Sequence, residues 1–161
     1  MSSSLLRIRF EIKESDIVAL GKCTINGDQA AKSQEPQFSN FPIVQTVERY
    51  LKGNRITWQE EIIDHCIENG FSTPFQRNVA LALVHTSPGE TITYSSLAKI
   101  AGHSGAAQAV GGVMRSNPFP LIIPCHRVVS CNGLGGFAGN EHAEFLELKR
   151  ALLVHESRMG A

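Results

Sequence analysis

The stretch SSLAKIAGHSGAAQAVGGVMR (Ser95–Arg115) decides how this chain folds. Ser95 can cap a short helix over Ser96–Ile100, which Ala101-Gly102 would end. His103-Ser104-Gly105 makes a turn, and a second helix follows from Ala106 to about Arg115, stopped before Asn117-Pro118. A helix, a short Gly-containing turn and a second helix have the sequence shape of a helix-turn-helix. The second helix is nearly bare of side chains, with Ala106, Ala107, Ala109, Gly111 and Gly112. Each interior Gly costs about 1 kcal/mol against Ala, so the bareness needs a reason. Close packing against another helix is one reason, and close approach to a nucleic-acid groove is the other.

Downstream, Pro118, Pro120 and Pro124 bracket Leu121-Ile122-Ile123, a strand-like apolar run that delivers Cys125-His126-Arg127 to its end. A structural cysteine normally has apolar neighbours on both sides. Cys125 is followed by two basic residues, which would stabilise a thiolate and pull its pKa below ~8.5. His126 can serve as its base through a bridging water or a non-extended backbone after Pro124. Gly133, Gly135, Gly136 and Gly139 then form a loop that lets main chain approach a ligand closely. A flat base suits such a loop, with Phe137 or Tyr94 to stack on it. A last helix from about Ala143 to Glu156 turns Phe145, Leu148, Leu152 and Leu153 toward the core.

Upstream, Ser72-Thr73-Pro74 opens a helix with Phe75, Val79, Ala82 and Leu83 along its apolar stripe. Residues 1–70 read as a small α+β unit. Leu5–Ile12 and Ile17–Ile25 make strand, turn and strand; helices run from Pro42 to Leu51 and from Trp58 to Glu68. In the first helix Ile43, Val47, Tyr50 and Leu51 share a face, and no catalytic set is visible in this part. The expected fold is therefore α+β: an N-terminal strand/helix domain over 1–70, then a winged helix-turn-helix-type domain over 71–161.

The bulk composition limits the function classes. Hydrophobic residues make up 42% and charged ones 19%, enough for a packed core. With 15 basic and 15 acidic residues the formal charge is zero, which excludes a strongly basic coat protein for DNA. The distribution is uneven: no Asp or Glu falls between Thr91 and Asn140, where Lys99, Arg115 and Arg127 do. That suits a surface facing phosphates, or an uncharged core-rich segment. Cys23, Cys66, Cys125 and Cys131 form no Cys-x-x-Cys pair. Together with the lack of a signal-like or membrane-length apolar run, this predicts free thiols in a reducing intracellular setting. A zinc site from Cys23, His65 and Cys66 has no ligand spacing to support it.

The ordered residues from about Pro74 to Glu156 resemble the O6-alkylguanine-DNA alkyltransferases (methylated-DNA–protein-cysteine methyltransferases). The resemblance is carried by Phe75-Gln76, Pro88-Gly89-Glu90, Tyr94, Leu97-Ala98, Ala106-Ala107, Ala109-Val110-Gly111-Gly112, Met114-Arg115, Asn117-Pro118, Pro124-Cys125-His126-Arg127-Val128 and His155-Glu156. It implies that Cys125 accepts the alkyl group irreversibly, once per molecule, with His126 as base through water and Glu156 orienting the histidine. It further implies that Asn117 braces the active-site turn and that Tyr94 helps rotate the nucleotide and protonate the leaving guanine. Val128 would offer a carbonyl to the base edge, while Met114, Phe137, Ala138 and Gly139 would line the pocket. Ser95, Ala106, Ala107, Gln108, Ala109, Gly111, Gly112, Arg115 and Arg127 would meet DNA through the minor groove. No metal or organic cofactor is implied, and the partner is duplex DNA bound by a monomer in the cytoplasm or nucleus.

The chain departs from the family pattern at four places. Gln108 stands where an arginine usually wedges into the base stack, Ala80 where a tryptophan is frequent, and Phe137 where a tyrosine is common. Residues 140–149 are polar and slightly long. Three other readings compete: a Cys-His enzyme that turns over repeatedly, a non-catalytic damage-recognition protein of the same fold, and a winged-helix regulator. The second would lack the acceptor cysteine, and the third would need side chains on 106–115 for base readout.

Overall fold

A computed structural model of the chain describes residues 11–13, 16–19, 42–135 and 143–159. In chain order these form β1 (Glu11–Lys13), β2 (Asp16–Ala19), α1 (Pro42–Leu51), α2 (Glu60–Gly70), α3 (Pro74–Val84), β3 (Ile92–Thr93), α4 (Tyr94–Ile100), α5 (Ala107–Arg115), a 3-10 turn (Cys125–Arg127), β4 (Val128–Val129) and α6 (Ala143–Ser157). The fold is helix-rich α+β. β1 pairs antiparallel with β2, and β3 pairs parallel with β4.

Local chemistry accounts for the helix ends. Thr73 caps α3 in a capping box: its Oγ1 accepts from Gln76 N at 3.2 Å, and Gln76 Oε1 accepts from Thr73 N at 3.2 Å. Thr93, not Ser95, caps α4, with its Oγ1 accepting from Ser96 N at 3.1 Å. A cap must keep extended backbone while its side chain reaches forward. Thr93 does so at the end of β3, whereas Ser95 already lies in the first turn. Gly102 ends α4 at φ +84, with His103 N bonded to Ala98 O and Gly102 N to Lys99 O. This is a Schellman closure, and its left-handed position favours glycine. Trp58 stays outside α2, which starts two residues later and runs to Gly70.

One cluster of buried side chains spans residue 70, joining Tyr50, Ile62, Cys66 and Phe71 to Val79, Leu83, Leu97, Val110, Ile123, Leu148 and Leu152. Val47 and Tyr50 are the inner face of α1, whereas Leu51 is exposed. Ala80 is fully buried. Phe145 lies among residues whose side chains are outside the described set. No described helix is long and apolar enough to cross a membrane.

Two features place the reactive turn. The β3–β4 register sets Ile92 against Val128 and Thr93 against Val129, so the start of α4 lies beside the exit of Cys125–Arg127. The expected strand at Leu121–Ile123 is instead a turn. Leu121 has φ 74, the only positive φ at a non-glycine among the described residues. Such a backbone costs on the order of 1–3 kcal/mol and persists only where its surroundings fix it. Here Asn117 does the fixing: its Nδ2 donates to Ile123 O at 2.8 Å and its Oδ1 accepts from Phe119 N at 2.9 Å.

Candidate active site

Cys125 opens the 3-10 turn, its N–H bonded to Ile123 O at 2.8 Å, and is 6% exposed. Burial pushes its thiol pKa up, while the Asn117 side chain and the Lys149 charge pull it down. This corrects the expectation that His126 and Arg127 make a standing thiolate. Both point away into a buried ionic cluster, and desolvation dominates. The resting group is a thiol that needs a base.

That cluster is centred on Glu156, which is 1% exposed. Its Oε1 accepts from His126 Nε2 at 2.7 Å, Arg127 Nη2 at 2.9 Å and the Tyr50 hydroxyl at 2.9 Å. Its Oε2 accepts from Arg127 Nε and from Gly89 N, both at 3.0 Å. Burial alone would raise the carboxyl pKa. Hydrogen bonds and charge from His126 and Arg127 outweigh it and hold the group well below the usual carboxylate range. His126 is pushed the other way: its burial lowers the imidazole pKa, opposed by Glu156. A neutral imidazole donating to a carboxylate through Nε2 has Nδ1 left as its basic nitrogen. The arrangement therefore holds an imidazole oriented by Glu156 one residue along the turn from the Cys125 thiol.

Arg127 does not face solvent. It is 7% exposed, doubly bonded to Glu156, and its Nη1 donates to Thr86 O at 2.7 Å. The expected DNA contact at Arg127 is therefore corrected: the guanidinium is committed to neutralising Glu156 and holding the residues before β3.

Lys149 was not anticipated. It is fully buried, its Nζ donates to Val128 O, and it lies 6.0 Å from the centroid of the Tyr94 ring. Burial lowers its pKa to about 8, opposed by the charge of Cys125. Tyr94 in turn packs over Gly135, where an added Cβ would sit 3.1 Å from Tyr94 Cε2. Gly135 has φ +68, so both backbone and space call for glycine there. Val128 O thus already accepts one hydrogen bond and retains a second lone pair for another donor.

Tyr50, Thr86 and Lys149 are the site residues that sequence reasoning missed. Lys149 and Glu156 did leave a signal. They stand seven residues apart in α6 with Leu152 between them, on one helical face among buried leucines. Tyr50 and Thr86 belong to distant segments and leave none.

In α5 the packed and the exposed residues separate. Val110, Val113 and Met114 are buried on its inner face, while Gln108, Ala109, Gly112 and Arg115 are exposed. A Cβ at Gly111 or Gly112 would meet nothing within 4 Å, so no described helix demands the glycines. Ala106 and Ala107 are half-buried at its start, and Ser95 is exposed on α4. Phe137, Ala138 and Gly139 lie outside the described residues.

Behind Arg127 lies a cavity of about 280 Å³ lined in part by Tyr50, Trp58, Thr86, Leu121 and Pro124; Cys125 is not on its wall. Cys66 is a buried core thiol raised to about 12 by desolvation, and no described group of three His, Cys, Asp or Glu could hold a metal ion.

Residues 74–158 match the family model described as 6-O-methylguanine DNA methyltransferase, DNA binding domain. The human methylated-DNA–protein-cysteine methyltransferase is 50% identical over 74 residues, 45% of this chain and 33% of that protein. The protein of the same name from Methanothermobacter thermautotrophicus is 31% identical over 127 residues, 78% of this chain and 66% of the other. The solved structure of the Mycobacterium tuberculosis O6-methylguanine methyltransferase superposes with a TM-score of 0.59 at 28% identity, covering 81% of this chain and 78% of that one. Alignments span about a third of the length of the mammalian relatives.

Proposed function

The chain belongs to the 6-O-methylguanine DNA methyltransferase family, and from that premise we propose that it repairs DNA by moving the alkyl group of O6-alkylguanine onto Sγ of Cys125. The observation that carries this reading is the pairing of a buried thiol with a neutral His126 fixed at 2.7 Å by Glu156. Thiolate sulfur attacks the alkyl carbon, a C–S bond forms, and the bond from carbon to guanine O6 breaks. The thiol proton leaves through water to Nδ1 of His126, and the departing guanine takes a proton with help from the Tyr94 hydroxyl. The thioether product is stable, so each chain acts once.

The other residues take supporting roles. Asn117 holds the strained turn that presents Cys125. Val128 O and Met114 meet the extruded base. α5 enters the minor groove with Ala106, Ala107, Ala109, Gly111 and Gly112, where a smooth helix approaches deeply. Gln108 fills the gap in the stack, Arg115 and Ser95 contact the backbone, and the protein acts as a monomer on nuclear or cytoplasmic DNA. Extrusion costs least for a damaged base, which contributes selectivity.

Stoichiometry tests this reading. With excess duplex carrying O6-methylguanine, transfer should stop at one methyl group per chain. Continued turnover would instead favour a hydrolytic or transferase Cys-His enzyme.

A further inference from the structure

We propose that Tyr50, which precedes the family-matched residues, is a positioning residue for the base: its hydroxyl shares the Glu156 oxygen that binds His126 and limits how strongly that carboxylate holds a proton on the imidazole. The proposal rests on the alkyl-transfer reading, but its primary readout needs no substrate. Tyr50 is 3% exposed, and its hydroxyl donates to Glu156 Oε1 at 2.9 Å, the atom that His126 Nε2 reaches at 2.7 Å. The residue is held at its other end as well. Its main-chain carbonyl accepts from His155 Nε2 at 2.7 Å, and the two rings lie 5.2 Å apart. Tyr50 thus pins the end of α1 to α6 at both His155 and Glu156.

Every donor on Oε1 draws off negative charge that would otherwise stabilise imidazolium. The polar and titratable groups around the His126–Glu156 pair and Tyr50 come from several elements. Tyr50 belongs to α1; Cys125, His126 and Arg127 to the 3-10 turn; Lys149 and His155 to α6; and Gly89 N to the segment before β3. Arg55 and Thr86 line the cavity beyond Arg127. Of the three side-chain donors to Oε1, Tyr50 is the one whose hydrogen bond is removable without touching the base or deleting a cation. Losing that donor therefore changes the charge that the shared Oε1 presents to His126.

The test is an NMR titration of the histidine ring nitrogens in wild type and Tyr50→Phe, with the His126 signal identified by its loss in His126→Gln. The expected result is a His126 pKa higher by about half a unit or more in Tyr50→Phe. The acid limb of the single-turnover rate should move upward with it. A second measurement uses a Tyr94→Phe background, where Tyr50 is the sole tyrosine of the chain, uniformly labelled with 3-fluorotyrosine. The more acidic phenol is a stronger donor, so His126 should shift downward. An unchanged His126 titration in Tyr50→Phe overturns the proposal. Should that variant not fold, the fluorinated chain decides, and the absence of a downward shift overturns it. A His126 shift in Tyr50→Phe, beside a wild type that transfers no alkyl group, would keep the Tyr50–His126 coupling and remove the alkyl-transfer reading alone.

Discussion

Lys149 donates from Nζ to the main-chain carbonyl of Val128, three residues beyond the thiol, from a fully buried position on α6. A buried ammonium needs polar or charged partners, and the Val128 carbonyl is one of them. The forming thiolate of Cys125 interacts with it too, since each group shifts the other toward its charged form. Replacing Lys149 with Met, similar in length and uncharged, should slow methyl transfer about tenfold or more, one pKa unit being a factor of ten. Rapid-quench transfer measured beside duplex affinity checks this. An unchanged rate would leave Lys149 as a packing residue.

The pH profile of transfer follows from the same groups. Burial lowers the His126 pKa, so the imidazole stays unprotonated and able to accept a proton at pH values below its ordinary 6.5. Lys149, lowered to about 8, loses its charge as the pH rises through that value. Single-turnover rates should therefore rise along an acid limb centred below 6.5 and cease to gain, or fall, above about 8. A rate that climbs steadily to pH 9.5 would mean that thiol ionisation alone controls the reaction.

Arg127 should matter for stability more than for DNA. Arg127→Met leaves the Glu156 carboxylate buried beside His126 without its cation, a loss of about 3–5 kcal/mol. Chemical denaturation measures this. Among folded molecules, the salt dependence of duplex binding should match wild type. A shallower salt slope would restore Arg127 as a phosphate contact.

The glycines of α5 separate folding from binding. Since a Cβ at Gly111 or Gly112 meets nothing within 4 Å, alanine at both should raise helix stability by about 1 kcal/mol each. The same substitutions should weaken duplex binding, because they thicken the face proposed to enter the groove. Thermal melts and binding isotherms on the double variant decide. Gain in stability with unchanged affinity would place the groove contact elsewhere.

Gln108 is exposed near the start of the same helix. Gln108→Arg should tighten duplex binding, speed repair and steepen the salt dependence, by about 0.9 in log–log slope for one added phosphate contact. Equal affinity and repair rate in the two proteins would show that the glutamine costs nothing.

Much of this was legible in the sequence because it is local. The helix-turn-helix, the Thr73 region cap and the Cys125-His126-Arg127 run each depend on neighbours within a few residues. The direction in which Arg127 points was not legible, because it depends on Glu156, 29 residues away. Leu121–Ile123 looks like a strand by composition, yet Asn117 binds Ile123 O and folds the run into a turn. Tyr50 lies 106 residues from its partner, and no spacing rule links them. Lys149 shares a face of α6 with Leu152 and Glu156, but that pattern does not name its partner, Val128 O, 21 residues away.

The central claim is that Sγ of Cys125 receives the alkyl group. Its most direct test is to incubate the folded protein with duplex DNA bearing isotopically labelled O6-methylguanine, digest it, and locate the label by peptide mass. The account predicts one labelled methyl on the peptide containing Cys125, and none there in Cys125→Ser, which should still bind the duplex. Label on another peptide, or none on the folded wild type while its duplex binding is intact, would contradict it.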